Sequence, residues 1–142
     1  MREFSEDEVK EELKRADHLI YVTLKYTKTG DVFISIIKRF ISALDFAILE
    51  SLEKSKIIKE IPPSPIKRCQ TLKEIYKEEA NDLISFYLLL KKIVKSEYEV
   101  KEQYRKNITL ITPYKRVDID TLKEFYRTTQ NYTKFLRGEE ID

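Results

Sequence analysis

Cysteine, histidine and glycine are nearly missing from this chain, and each shortage removes a kind of chemistry. A single cysteine, Cys69, closes no internal disulfide and, without a second thiol, builds no cysteine-rich zinc site. It falls on the inner side of a predicted helix and reads as a small hydrophobe rather than a nucleophile. A single histidine, His18, excludes a histidine pair or a His-rich metal site. Two glycines, Gly30 and Gly138, cannot make a phosphate-cradling loop, and both suit helix ends. Adjacent carboxylates occur at Glu11-Glu12 and Glu78-Glu79, but neighbours on a helix do not face each other, so these read as solvated faces. No catalytic, cofactor-binding or metal-ligating residue is expected, and the chain reads as more a binding protein than an enzyme.

Long apolar runs are lacking too. Nothing approaches the ~18 uninterrupted apolar residues of a membrane span. The nearest candidate, residues 34–52, is broken by Lys38, Arg39 and Asp45. The acidic start, Met1-Arg2-Glu3-Phe4-Ser5-Glu6-Asp7-Glu8, has no signal-peptide apolar stretch. A reducing cytoplasm with no membrane partner is the expectation.

What is abundant is lysine, glutamate, isoleucine and tyrosine. That usage suits a thermophile, in which ion-pair networks gain value as charge desolvation cheapens with heat, and an archaeal source is the expectation. The 142 residues predict one domain, 1–142, with one proper core. Net charge is +2 and the isoelectric point about 8.5, below the roughly 9 that marks strong nucleic-acid binders.

Periodicity predicts an all-α, up-and-down bundle of four to five helices. Ser5-Glu6-Asp7-Glu8 forms a capping box, after which Val9, Leu13, Ala16, Ile20, Thr23 and Thr27 recur at helical spacing, with Leu19, Val22 and Tyr26 widening the face. Gly30 as a helix end and Asp31 as the next cap predict a tight antiparallel turn. A second helix over about 31–54 carries one stripe, Phe33, Ile37, Phe40, Leu44 and Ala47, and another, Ile34, Ile41, Ile48 and Leu52. A face that wide predicts either a central helix or one buried against a second subunit.

Ile61-Pro62-Pro63-Ser64-Pro65 stops the chain and starts a short third helix to about Lys77, with Ile66, Cys69, Leu72 and Tyr76 inward. Asn81 or Asp82 caps a fourth, whose Leu83–Leu90 stretch, apolar nearly all round, predicts deep burial, with a bend or restart near Ser96 before Tyr98–Lys106. Alternation over about 108–119, around Pro113-Tyr114-Lys115-Arg116, predicts a small β-hairpin. A last helix starts at Asp118 or Asp120, buries Leu122, Phe125, Thr129, Tyr132 and Leu136, and ends at Gly138 ahead of a frayed tail.

The order of two long helices, a proline-rich crossover, a short helix, a buried helix and a final helix resembles the small archaeal HEPN-like helical proteins. So do the stretches Ala16-Asp17-His18-Leu19 to Lys25-Tyr26-Thr27, and Arg39-Phe40-Ile41-Ser42-Ala43-Leu44-Asp45-Phe46-Ala47. The resemblance implies an up-and-down bundle, usually homodimeric, sometimes a ribonuclease toxin or its partner. The nuclease members share an arginine followed, after four to six residues, by a histidine. Before His18 the matching positions are Glu11, Glu12 and Leu13, so the motif is absent and no catalytic residue carries over.

Three functional readings follow. The leading one is a noncatalytic HEPN-like bundle acting through homodimerisation or a small helical or other protein partner, with Phe33, Ile34, Ile37, Ile41 and Ile48 as interface. The second is an RNA- or DNA-binding module using the Lys91–Arg116 surface, where Lys101, Arg105, Lys106, Lys115 and Arg116 would meet phosphates beside Tyr98, Tyr104 and Tyr114. The third is a non-standard ribonuclease around His18, which lies off the apolar stripe.

Overall fold

The computed structural model describes residues 7–56 and 60–139. The elements run in the order α1 (Glu8–His18), a π-helical segment (Leu19–Thr23), α2 (Leu24–Tyr26), α3 (Gly30–Lys54), α4 (Pro65–Tyr76), a 3-10 turn (Lys77–Ala80) and α5 (Asn81–Lys95). After these come β1 (Glu99–Lys101), β2 (Thr109–Ile111), β3 (Arg116–Val117) and α6 (Ile119–Arg137). The result is an up-and-down four-helix bundle with a small three-stranded sheet.

The central element is α3, against which α1, α6, α5 and α4 all pack. Its wide apolar face is explained by this position. Phe33, Ile36, Ile37, Phe40, Leu44, Ala47, Ile48 and Leu52 are all buried by the chain itself. Helix α5 is less enclosed than its composition suggests. Leu83, Ile84, Tyr87, Leu90 and Ile93 face the core, while Phe86 and Leu89 are half-buried and Leu88 is exposed. The apolar run is therefore one buried stripe with apolar flanks.

At the start of α1 the cap is Asp7, whose carboxylate accepts from Lys10 N at 3.1 Å. The Ser5 of the expected capping box lies outside the described residues. The π-helical segment then changes the helical phase, because its wider i→i+5 turn takes more residues per revolution. Core contacts run through Val9, Ala16, Ile20 and Leu24, leaving Thr27 and Val22 exposed and Tyr26 83% exposed, against the expected face.

Gly30 does not end a helix. It is the first residue of α3, preceded by Thr29 as the cap, whose Oγ1 accepts from Val32 N. Its lack of a side chain serves close packing, since a Cβ there would lie 2.5 Å from Val100 Cγ2 on β1. The neighbouring turn is tied to the same region by Tyr104 N, which donates to Lys28 O at 2.8 Å.

Pro65 opens α4 at its first turn, but Ser64 makes no side-chain capping bond, and Ile66 is 63% exposed rather than inward. Cys69 and Leu72 are the buried residues of that helix. The chain enters α5 directly from the 3-10 turn, so neither Asn81 nor Asp82 acts as a side-chain cap.

No helix restarts after Ser96. Glu99–Lys101 instead pairs antiparallel with β2, in the register Val100 opposite Leu110. The expected hairpin is present as β2–β3, with Leu110 opposite Val117. Its turn is closed by Thr112 Oγ1, which accepts from Tyr114 N and Lys115 N and donates to Lys115 O. Leu110 and Val117 drive the sheet onto the bundle, which supplies the packing such short strands need. At α6, Asp118 caps through Thr121 N at 2.8 Å, and Gly138 ends the helix in the left-handed region with φ of 72°. Thr133 joins Thr129 on the buried face, and Tyr132 is half-buried.

Candidate functional site

Three regions of the surface carry side chains with something to bind. The first is a groove of about 310 Å³ between α3 and α5, lined by Lys38, Ile41 and Ser42 on one side and Lys91, Val94 and Lys95 on the other. The spacing follows from helix geometry. Residues 38, 41 and 42, like 91, 94 and 95, are three and four apart, so each trio forms one ridge. Ile41 and Val94 supply branched apolar walls, the exposed Lys38 and Lys95 extend them with their stems, and the half-buried Lys91 turns its ammonium toward Tyr87. The lining holds three lysines and no carboxylate.

Beneath this groove sits a polar link between the helices. The Tyr87 hydroxyl donates to the Asp45 carboxylate, and Lys91 Nζ stands 3.3 Å from the same hydroxyl and 5.2 Å from the ring centroid. Burial pushes the Asp45 carboxyl up, opposed by the Tyr87 hydrogen bond and the positive charge of Lys91. Burial, with Asp45 as acceptor, pushes the Tyr87 hydroxyl up as well. The Cys69 thiol is also raised, first by burial and then by Asp45, which keeps it in the protonated, unreactive form.

The second region is a shallow pocket of about 380 Å³ where α1 meets α3, lined by Lys14, Arg15, His18, Leu19 and Arg39. Glu12 lies beneath it, only 7% exposed. Arg15 Nη1 donates to Glu12 Oε1 at 2.9 Å, and Arg39 Nη1 reaches Glu12 Oε2 at 3.1 Å. His18 is exposed at the rim, and no carboxylate lines the pocket with it.

The third region is the sheet and its loops. Lys101, Arg105, Lys106, Lys115 and Arg116 are all exposed there, with Tyr104 at 72% and Tyr114 at 52% exposure. Arg105 pairs weakly with Glu102 at 3.7 Å, and Lys92 of α5 lies 5.7 Å from the Tyr114 ring centroid.

Of the five residues expected at an interface, Phe33, Ile37 and Ile48 are inside the chain's own core, at 0%, 0% and 2% exposure. Ile34 and Ile41 remain half-buried. The groove is therefore built from Ile41 together with Lys38, Lys91, Val94 and Lys95. Sequence reading did not combine these, since nothing in either helix alone reveals which one it faces. The Arg39–Glu12 pair was missed for the same reason.

Among the described residues, no group of three or more His, Cys, Asp or Glu is arranged to hold a metal ion. No helix there is long and apolar enough to cross a membrane. Fold and surface together define an all-α helical bundle carrying a small antiparallel sheet. No family model matches the chain, and no curated protein or solved structure is significantly similar to it.

Proposed function

We propose that this chain is a noncatalytic, HEPN-like, cytoplasmic binding module from a thermophilic archaeon, and that its α3/α5 groove docks an acidic amphipathic helix of a partner protein. One observation carries the reading: an apolar-walled groove whose lining includes three lysines and no carboxylate. An amphipathic helix recognises such a groove by laying its apolar stripe on Ile41 and Val94 while flanking carboxylates meet the ammonium groups. A second copy of the chain is the weaker occupant. A two-fold contact of groove on groove would set Lys38, Lys91 and Lys95 against their own copies.

The test is a titration of isotopically labelled protein with a synthetic amphipathic helix, with leucines one face wide and glutamates beside them. Saturable shifts at Ile41, Ser42 and Val94, lost in Ile41→Glu, are the expected result. The reading fails if a lysine-flanked version of the peptide binds equally well, or if neither peptide moves these signals.

A second reading is favoured by the exposure of Tyr104 and Tyr114 among Lys101, Arg105, Lys106, Lys115 and Arg116. Stacking platforms beside cations suit single-stranded nucleic acid. Binding of a short RNA that weakens steeply with salt and is lost in Arg105→Glu/Lys106→Glu/Arg116→Glu would establish it. Retention in the triple variant, or no binding at low salt, would exclude it.

A further inference from the structure

We propose that the α1/α3 pocket is an anion site for a phosphoryl dianion, either free phosphate or the phosphate of a small monoester. The pocket is separate from the α3/α5 groove and shares no lining residue with it. Four of its five lining residues, Lys14, Arg15, His18 and Arg39, are nitrogen donors, and the fifth, Leu19, is apolar.

The buried carboxylate of Glu12 is what makes this a prepared site. It holds Arg15 and Arg39 through one nitrogen each, Nη1 in both cases. A guanidinium carries five N–H donors, so Nη2 and Nε of both arginines are left for a ligand. Their heads stay accessible, with side-chain exposures of 55% for Arg15 and 41% for Arg39. Planar guanidinium forks of this kind match phosphate oxygens in a way that a lone ammonium does not.

Charge selects the class of anion. Among the groups that line the pocket or pair with its lining, Lys14, Arg15 and Arg39 are positive and Glu12 is the carboxylate, an excess of about two positive charges for a ligand to meet. A dianion meets that excess, whereas a monocarboxylate satisfies half of it. The volume of about 380 Å³ also exceeds what a phosphoryl group fills, so a small ester group has room against Leu19.

The local backbone agrees. The π-helical segment begins at Leu19, the residue after His18, and wider turns of this sort recur at ligand sites. Ile20 within it and Leu24 just after it are buried in the core, while His18 before it stays at the pocket rim.

His18 is the only histidine, so its ring signals are a single unambiguous probe. The experiment follows them by NMR at about pH 7.5, where a phosphate monoester is mostly dianionic. Inorganic phosphate, adenosine monophosphate, acetate and a short RNA without terminal phosphates are titrated in turn. Saturable shifts with phosphate or the nucleotide, and weaker ones with acetate, are expected. Lys14→Gln should weaken binding about fivefold with an unchanged melting temperature, since Lys14 is exposed and does not hold Glu12. Tighter binding of the nucleotide assigns the ester, and equal binding assigns free phosphate. The proposal is overturned if no shift saturates, if acetate matches phosphate, if the RNA binds as tightly as the nucleotide, or if Lys14→Gln changes nothing.

Discussion

Arg137, in the last turn of α6, grips Asp7 at the start of α1 with both arms of its guanidinium, Nη2 to Oδ1 at 2.6 Å and Nη1 to Oδ2 at 2.8 Å. Nη2 also donates to Glu50 of α3 at 3.1 Å, so one side chain joins three helices. Asp7 at the same time caps α1 through Lys10 N.

This pairing sets an acid-side dependence. The Arg137 guanidinium lowers the Asp7 carboxyl from the usual 3.8 to about 2. Between those values the unfolded chain binds the proton and the folded chain does not, so stability present above the window is lost as pH falls through it. Arg137→Gln is expected to cost about 1–3 kcal/mol at neutral pH and to flatten that acid limb. Urea unfolding across a pH series checks both. Asp7 is partly exposed, so solvent screening keeps the effect at the lower end.

Asp45 has the opposite sign. Burial raises its carboxyl, so the folded chain holds a proton that the unfolded chain has released, and stability declines as pH rises through that interval. Asp45→Asn keeps an acceptor for the Tyr87 hydroxyl without the buried charge. Its melting temperature should exceed that of the parent at pH 7 and match it in acid. A lower value at pH 7 would mean that the carboxylate charge itself stabilises α3 against α5.

Gly30→Ala tests the contact between α3 and the sheet. The added methyl would sit 2.5 Å from Val100 Cγ2, a stiff β-branched neighbour. The expected loss is about 1–3 kcal/mol. Adding Val100→Ala should recover part of it, and a double-mutant cycle with no coupling would show that Gly30 matters for another reason.

Solution mass tests how far the lysine-rimmed groove resists self-pairing. Light scattering should give 17.0 kDa for the free chain. A stable dimer that Lys38→Glu alters would instead put a second copy in the groove.

Much of the fold was legible because helices announce themselves locally. The α3 stripes, the proline stop before Pro65, the Asp118 cap and the Gly138 terminator each depend on residues within a turn or two of one another. The errors came where a neighbour overrode local preference. Tyr98–Lys106 has too few residues to declare a period, and its strand exists because β2 lies alongside. Gly30 looked like a helix end because that is the usual place for glycine, and only Val100 explains it. The π-helical segment left no sequence signature, and with it Val22, Tyr26 and Thr27 fall outside the core while Ile20 is buried as expected.

The same division holds for the surface. Composition and hydrophobic spacing by themselves determined an all-α bundle, because burying a helix's apolar stripe is a demand each segment makes alone. Which stripes meet was decided only by the tertiary structure. It covered Phe33, Ile37 and Ile48 with the chain's own helices, left Ile41 facing Val94 in a lysine-rimmed groove, and brought Arg39 to Glu12 across 27 residues. Side chains that distant share a site only after the helices have packed, and the packing angle depends on all the contacts together rather than on any one stretch.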